Sequence, residues 1–146
     1  RELLGHAALL HDVGEFINYP KHHILSFIII TNSYLVGFTS EELRAMGLIT
    51  RFHHKKFPDM SSKILADIPV PEREEILVCA LILKISDILD RRHNSSVTSL
   101  KIDIDGELMM IELGSDSDVS MEVWKLMSVD EDIKKLFGKD IKVIRS

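Results

Sequence analysis

The chain has 146 residues, 45% hydrophobic and 28% charged, with a formal net charge of −5 at pH 7 and seven histidines counted neutral. This length suits one domain or a helical domain with a small appendage, and the apolar share is enough for a core. The negative balance excludes a global attraction to nucleic acid or any other polyanion, so a phosphate-rich partner must be met by a local basic patch.

Cys79 is the single cysteine, so no disulfide forms within the chain, which fits a reducing, cytoplasmic setting. The longest apolar runs, Phe27-Ile28-Ile29-Ile30 and Val78 through Leu83, fall far short of the ~20 residues a membrane span needs. No signal peptide is visible. The opening Arg1-Glu2-Leu3-Leu4 is already helical in character with no capping residue ahead of it, which predicts a helix entered from upstream and an N-terminally truncated chain.

Residues 2–13 read as the first helix, with Leu3, Leu4, Ala7 and Leu10 at helical spacing and Gly14 placed to end it in the left-handed conformation. Asn18-Tyr19-Pro20 is a turn. Helix resumes near Lys21 or His22, continues to about Leu35, and is closed by Gly37. Thr39-Ser40-Glu41-Glu42 is a capping box opening a helix with Leu43, Met46, Gly47 and Thr50 on one face, running to about His53 or His54. A long connection follows from Lys55 to Val70, with one short turn around 63–66. Pro71 suits the first position of the last long helix, whose first turn carries Glu72, Glu74 and Glu75. Its upper half is apolar nearly all round, predicting the most buried helix.

From residue 97 the period shifts to two. Leu100, Ile102 and Ile104 alternate with polar residues, Asp105-Gly106 is a hairpin turn, and 107–113 is the return strand. The polar run 114–118 caps a helix carrying Val119, Val123, Trp124 and Met127. Asp130 starts another, with Ile133, Leu136 and Phe137 buried and Gly138 at its end. Residues 141–144 read as a final strand. The expected fold is therefore mainly α: a helical part over residues 1–95 and a small α+β part over 96–146, joined near Asn94–Val97.

Four polar clusters interrupt the helical part: His11-Asp12; Lys21-His22-His23; Arg51-Phe52-His53-His54-Lys55-Lys56; and 86–93. Neighbouring imidazole and carboxylate groups suit a divalent transition metal, and equally suit a hydrogen bond to each other. Arg51 through Lys56 form a local positive site, although the helix dipole alone also favours cations at a helix C-terminus. At a helix start the charged forms of His22 and His23 are disfavoured, leaving neutral rings able to ligate or to accept a hydrogen bond. Asp87 and Arg91 are spaced for an i,i+4 ion pair; alternatively Asp87 turns inward to His11-Asp12.

Taken in order, Ala7-Ala8-Leu9-Leu10-His11-Asp12-Val13-Gly14, His22-His23, 32–39, Arg51-Phe52-His53-His54-Lys55 and 85–93 resemble the HD superfamily of helical phosphohydrolase-like domains. More closely, they resemble the C-terminal region of the exopolyphosphatase/guanosine pentaphosphate phosphohydrolase (Ppx/GppA) family, whose small C-terminal domain the tail also resembles. The resemblance implies an HD-like bundle followed by that small domain. It also implies hydrolysis in N-terminal actin-like domains that hold Mg²⁺ and lie outside this chain, so that the fragment itself is not catalytic and holds no cofactor. Its implied roles are to hold inorganic polyphosphate or guanosine pentaphosphate and to form a homodimer, without nucleic acid or membrane. Arg51, His53, His54, Lys55 and Lys56, with Lys21, His22 and His23, would be the phosphate contacts. His11, Asp12 and Asp87 match three metal-ligand positions of metal-active HD enzymes, whereas His6 sits ~140° around the helix from His11. The alternative implied function is a metal-dependent HD phosphohydrolase acting on nucleotides or phosphoesters; a purely structural dimerisation domain is a third.

Overall fold

Helix α1 spans Glu2–Leu10 and buries Ala7. The structure, a computed structural model, describes residues 2–93 and 95–145. Arg1, on which the expected truncation turns, and Asn94, in the expected link, lie outside them.

After α1 the chain turns through residues 11–17, so His11-Asp12 stands just past the helix, three residues earlier than the expected end. Gly14 is not in the left-handed region: the glycines with positive φ are Gly37, Gly106 and Gly138. Its role is close approach. A Cβ there would lie 2.6 Å from the His22 carbonyl oxygen and 2.7 Å from both Leu25 Cβ and Ser26 N. Ser26 fastens the contact, accepting from Gly14 N (3.0 Å) and donating to the His11 carbonyl (2.7 Å). Asn18 Oδ1 then accepts from Lys21 N across the 3₁₀ turn Tyr19–Lys21, delivering the chain into α2, His22–Asn32.

The capping box forms as expected. Thr39 N donates to Glu42 Oε2 (2.8 Å) and Glu42 N to Thr39 Oγ1 (3.2 Å), opening α3, Ser40–Phe52. Residues 46–50 are all buried. At Gly47 a Cβ would lie 2.7 Å from Thr31 Cγ2, so the missing side chain sets how closely α3 crosses α2.

The connection before α4 (Val70–Asp90) contains the 3₁₀ turn Lys63–Leu65 and is tied down by three cations. Arg44 clasps Asp67 with two hydrogen bonds and reaches the Ile64 carbonyl. Arg73 donates to the carbonyls of Ile68, Met60 and Ala66 at 2.6, 3.2 and 2.8 Å. Lys84 Nζ donates to the Lys55 carbonyl at 3.0 Å. Within α4, Leu77, Ala80, Leu81 and Leu83 are buried, but Ile82 is exposed and Cys79 half-buried. The continuous burial expected of α4 belongs instead to α3, because an all-round apolar run does not reveal which side meets solvent.

The chain separates into two compact units, 1–84 and 85–146. The second holds a three-stranded sheet in the order β1-β2-β3. Strands β1 (Ser99–Asp105) and β2 (Leu108–Gly114) pair antiparallel. The register Asp105↔Leu108 puts the hairpin turn at Gly106-Glu107, one residue beyond the expected pair, with Gly106 at φ +56°. Helices α5 (Ser120–Met127) and α6 (Asp130–Phe137) carry the chain back to β3 (Asp140–Arg145), parallel to β2. Asp118 Oδ1 accepts from Ser120 N (3.0 Å) at the start of α5, as the polar run predicts. Leu126, Val129 and Ile133 are buried, but Trp124 is 72% exposed and Phe137 43%. In place of the Trp124 face, α5 buries Glu122, which takes a two-point ion pair from Arg92 at 2.7 and 3.0 Å. The fold is thus a helical part followed by a small α+β part. Among the described residues no helix is long and apolar enough to cross a membrane.

Candidate functional site

The turn after α1, the first residues of α2 and the last residues of α3 bring five imidazoles and one carboxylate together in the N-terminal unit. Adjacent side chains on a helix diverge by ~100°, so each His-His pair divides its partners. His22 and His53, only 5% and 2% exposed, approach Asp12. Their Nε2 atoms lie 3.5 and 4.0 Å from Asp12 Oδ1, while His11 Nε2 lies 3.0 Å from Oδ2. His23 and His54 face one another with ring centroids 5.2 Å apart, and His54 also meets His22 at 4.9 Å.

Beside this cluster, His23, Arg51, His54, Lys55, Lys56 and Ser62 line an open pocket of about 340 Å³. Arg51 is held by stacking its guanidinium on Phe27, 5.3 Å from the ring centroid. Lys55 adopts a left-handed φ of +59°, uncommon for a non-glycine residue, while its carbonyl is bound by Lys84. Burial is the main cause that pushes His23 down to a pKa of about 4, followed by the repulsion of His54, His22, Lys55 and His53. His23 is therefore neutral at physiological pH, and its Nδ1 is a buried polar atom with no hydrogen-bond partner. The positive charge of the pocket comes from Arg51, Lys55 and Lys56. Three convergent cations with a partly apolar floor form an arrangement that accepts phosphate oxygens through charge-assisted hydrogen bonds.

Of the eight residues expected to contact phosphate, Arg51, His54, Lys55, Lys56 and His23 share this pocket. His22 and His53 turn to Asp12 instead, and Lys21, exposed at the end of the 3₁₀ turn, is not among the pocket residues. Of the expected metal set, His11 and Asp12 are together. Asp87 belongs to the C-terminal unit, where its carboxylate lies 3.6 Å from Arg91, the i,i+4 pair. His6 packs edge-on against Phe38 at 4.9 Å.

Ligand atoms of His11, Asp12 and His53 all lie within 4.8 Å of one another, as do those of Asp12, Glu15 and His22. Those two overlapping sets are the places where a metal ion could be held among the described residues. The sequence offers His22 both as a phosphate contact and as a ring able to ligate, and His53 as a phosphate contact alone; it does not single out Glu15. Nothing in the spacing of adjacent histidines tells which of the two turns toward a distant carboxylate.

A protein-family model described as Ppx/GppA phosphatase, domain III, matches residues 1–134 of the chain.

Proposed function

Because this chain belongs to the Ppx/GppA phosphatase family, we propose that it is the polyphosphate-gripping, dimer-forming module of an exopolyphosphatase- or guanosine pentaphosphatase-like hydrolase. On this reading its helical unit is an HD-like bundle, and hydrolysis belongs to actin-like domains outside the chain. One observation carries the proposal: Arg51, His54, Lys55 and Lys56 open into a single pocket, although the chain as a whole is acidic. A polyphosphate chain offers a row of anionic oxygens. Cations fixed by stacking and by backbone anchoring meet such a row with less ordering cost than free surface lysines.

The dimer role is supported by the C-terminal unit, where edge strand β1 keeps Leu100, Ile102 and Ile104 exposed on alternate positions. An exposed apolar edge strand is a surface that a second copy covers well.

Binding of the chain to long-chain polyphosphate, measured by calorimetry at several salt concentrations, tests the grip. Binding weakens with salt and becomes far weaker when Arg51, Lys55 and Lys56 are replaced together by alanine. Tight binding indifferent to that replacement moves the site elsewhere, and absence of binding in the unaltered chain ends the grip reading. Sedimentation over a concentration series tests the dimer, and a monomer at every concentration would refute it.

A further inference from the structure

The two faces of edge strand β1 carry different chemistry. Residues directly opposite in an antiparallel pair share one face of the sheet, so the register Leu100↔Leu113, Ile102↔Ile111, Ile104↔Met109 makes the three β1 residues an extension of a buried row. Leu113, Ile111 and Met109 are at most 9% exposed, whereas Leu100, Ile102 and Ile104 are 46, 51 and 53% exposed. Helices α5 and α6 pack against β3, at the other edge of the sheet, and leave the β1 end of the core face open. On the reverse face stand Lys101 and Asp103, both exposed. Asp103 has Met110 opposite it on β2, not a cation. The pairing with β2 runs through all seven residues of β1 with no bulge and no proline, two devices that blunt an edge strand.

The order of residues along β1 decides what can add to this edge. Two copies related by a two-fold axis pair their edges antiparallel, and an axis through one residue sets that residue against itself and its two neighbours against each other. An axis through Ile102 sets Ile102 against Ile102, Leu100 against Ile104 and Lys101 against Asp103. Apolar then meets apolar, and each lysine meets an unlike charge, a favourable cross-strand pair. Moving the axis by one residue sets Lys101 against Lys101 or Asp103 against Asp103, and like charges directly opposite are destabilising. An axis at Leu100 or Ile104 leaves only three residues of each strand paired. An axis between two residues puts the apolar row of one copy against the charged residues of the other. Strand β3 has no self-complementary register: an axis at Lys142 sets it against itself, and one at Val143 sets Ile141 against Arg145.

We infer that β1 pairs antiparallel with β1 of a second copy about a two-fold axis through Ile102, joining two three-stranded sheets into one of six strands. The backbone groups of the open edge gain hydrogen-bond partners, the apolar row runs on from one copy into the other, and two Lys101–Asp103 pairs close the reverse face. The contact is isologous, so each copy uses its β1 edge once and the assembly stops at two chains. The inference rests on the dimer reading above and adds to it the surface, the axis and the register.

Charge reversal on the full chain, followed by sedimentation equilibrium at low ionic strength, tests the pairing. Lys101→Asp and Asp103→Lys each set like charges opposite one another twice, so each alone should weaken the dimer about tenfold or more. An equimolar mixture of the two should recover dimers, and the chain carrying both reversals should dimerise like the unaltered one. Lys21→Asp, an exposed charge in the helical unit, should change nothing. For the register, Ile102→Cys in a Cys79→Ser background should form an interchain disulfide on mild oxidation, because only residue 102 faces itself. Leu100→Cys in that background should not, since the two copies of residue 100 stand about 13 Å apart along the strands. Circular dichroism establishes that the variants fold; should Ile102→Cys fail, the Leu100→Cys/Ile104→Cys chain, whose cysteines face each other, carries the same test. An undiminished dimer in both single reversals overturns the inference and leaves the dimer reading to another surface. A monomer at every concentration in the unaltered chain overturns both. Weakening without recovery in the mixture, or cross-linking at residue 100 in preference to 102, overturns the register.

Discussion

Replacing Gly14 by alanine sets two effects of opposite sign against each other. The φ of Gly14 lies outside the left-handed region, so alanine is allowed there and would stabilise by about 0.4–1 kcal/mol through the unfolded state. Against this, the added Cβ would sit 2.6–2.7 Å from the His22 carbonyl, Leu25 Cβ and Ser26 N. Two of these atoms are backbone, so α2 must move away. Such overpacking costs about 1–3 kcal/mol, and the shift also strains the Gly14–Ser26 and Ser26–His11 hydrogen bonds, each worth about 1 kcal/mol. Sterics win, with a net loss of about 1–3 kcal/mol. Urea unfolding, followed by far-UV circular dichroism on the helical transition, should show the midpoint falling. Ser26→Ala should also destabilise, by about 1–3 kcal/mol, because it leaves the buried Gly14 N–H unpaired. An unchanged or raised midpoint in Gly14→Ala would refute the reading of Gly14 as a contact glycine.

Further outcomes concern the tied-down connection and the second unit. Arg73→Met removes three charge-assisted bonds to carbonyls and should cost about 2–3 kcal/mol, with faster proteolysis between residues 57 and 69; an unchanged cleavage rate would contradict the tethering role. Arg92→Met leaves Glu122, 2% exposed, without its ion partner and should cost about 3–5 kcal/mol, with much of the loss recovered in Arg92→Met/Glu122→Leu. Failure of the double variant to recover would mean that the pair does more than neutralise itself. The hydrogen bonds from Arg44 hold the Asp67 carboxyl below its ordinary 3.8. The resulting stabilisation is present above that value and is lost as pH falls through the depressed one. The gap between the chain and Asp67→Asn, measured by denaturation across acid pH, should therefore close at the lowest pH; a gap constant with pH would refute the pairing.

The local grammar of the fold is legible in the sequence. The Thr39/Glu42 capping box, the glycine ending α6 and the change of period at the first strand each depend on residues a few positions apart, and each stands in the structure. Gly14 shows the limit. A glycine after a helix serves either a left-handed turn or a close contact, and only the position of α2 decides between them. The cations that secure the connection were hidden for a related reason, since Arg73 binds backbone carbonyls, which every residue carries.

The same limit governs the site. Its residue types were visible as His11-Asp12, His22-His23 and Arg51 through Lys56. How they divide between a carboxylate-centred cluster and a basic pocket depends on three helix ends meeting in space. Phe137 is exposed rather than buried, and Trp124 lies on the solvent side of α5, because the periodicity of a short helix defines a face too loosely. There Glu122 is buried instead, rescued by an arginine thirty residues away.

The salt dependence of polyphosphate binding tests the central claim most directly. Counterion release gives a slope of log affinity against log salt of about 0.7 per cation engaged on a flexible polyanion. The Arg51/Lys55/Lys56→Ala chain should therefore bind far more weakly, with a slope smaller by about 2. An unaltered slope and affinity in that variant would contradict the assignment of phosphate binding to the pocket at the end of α3.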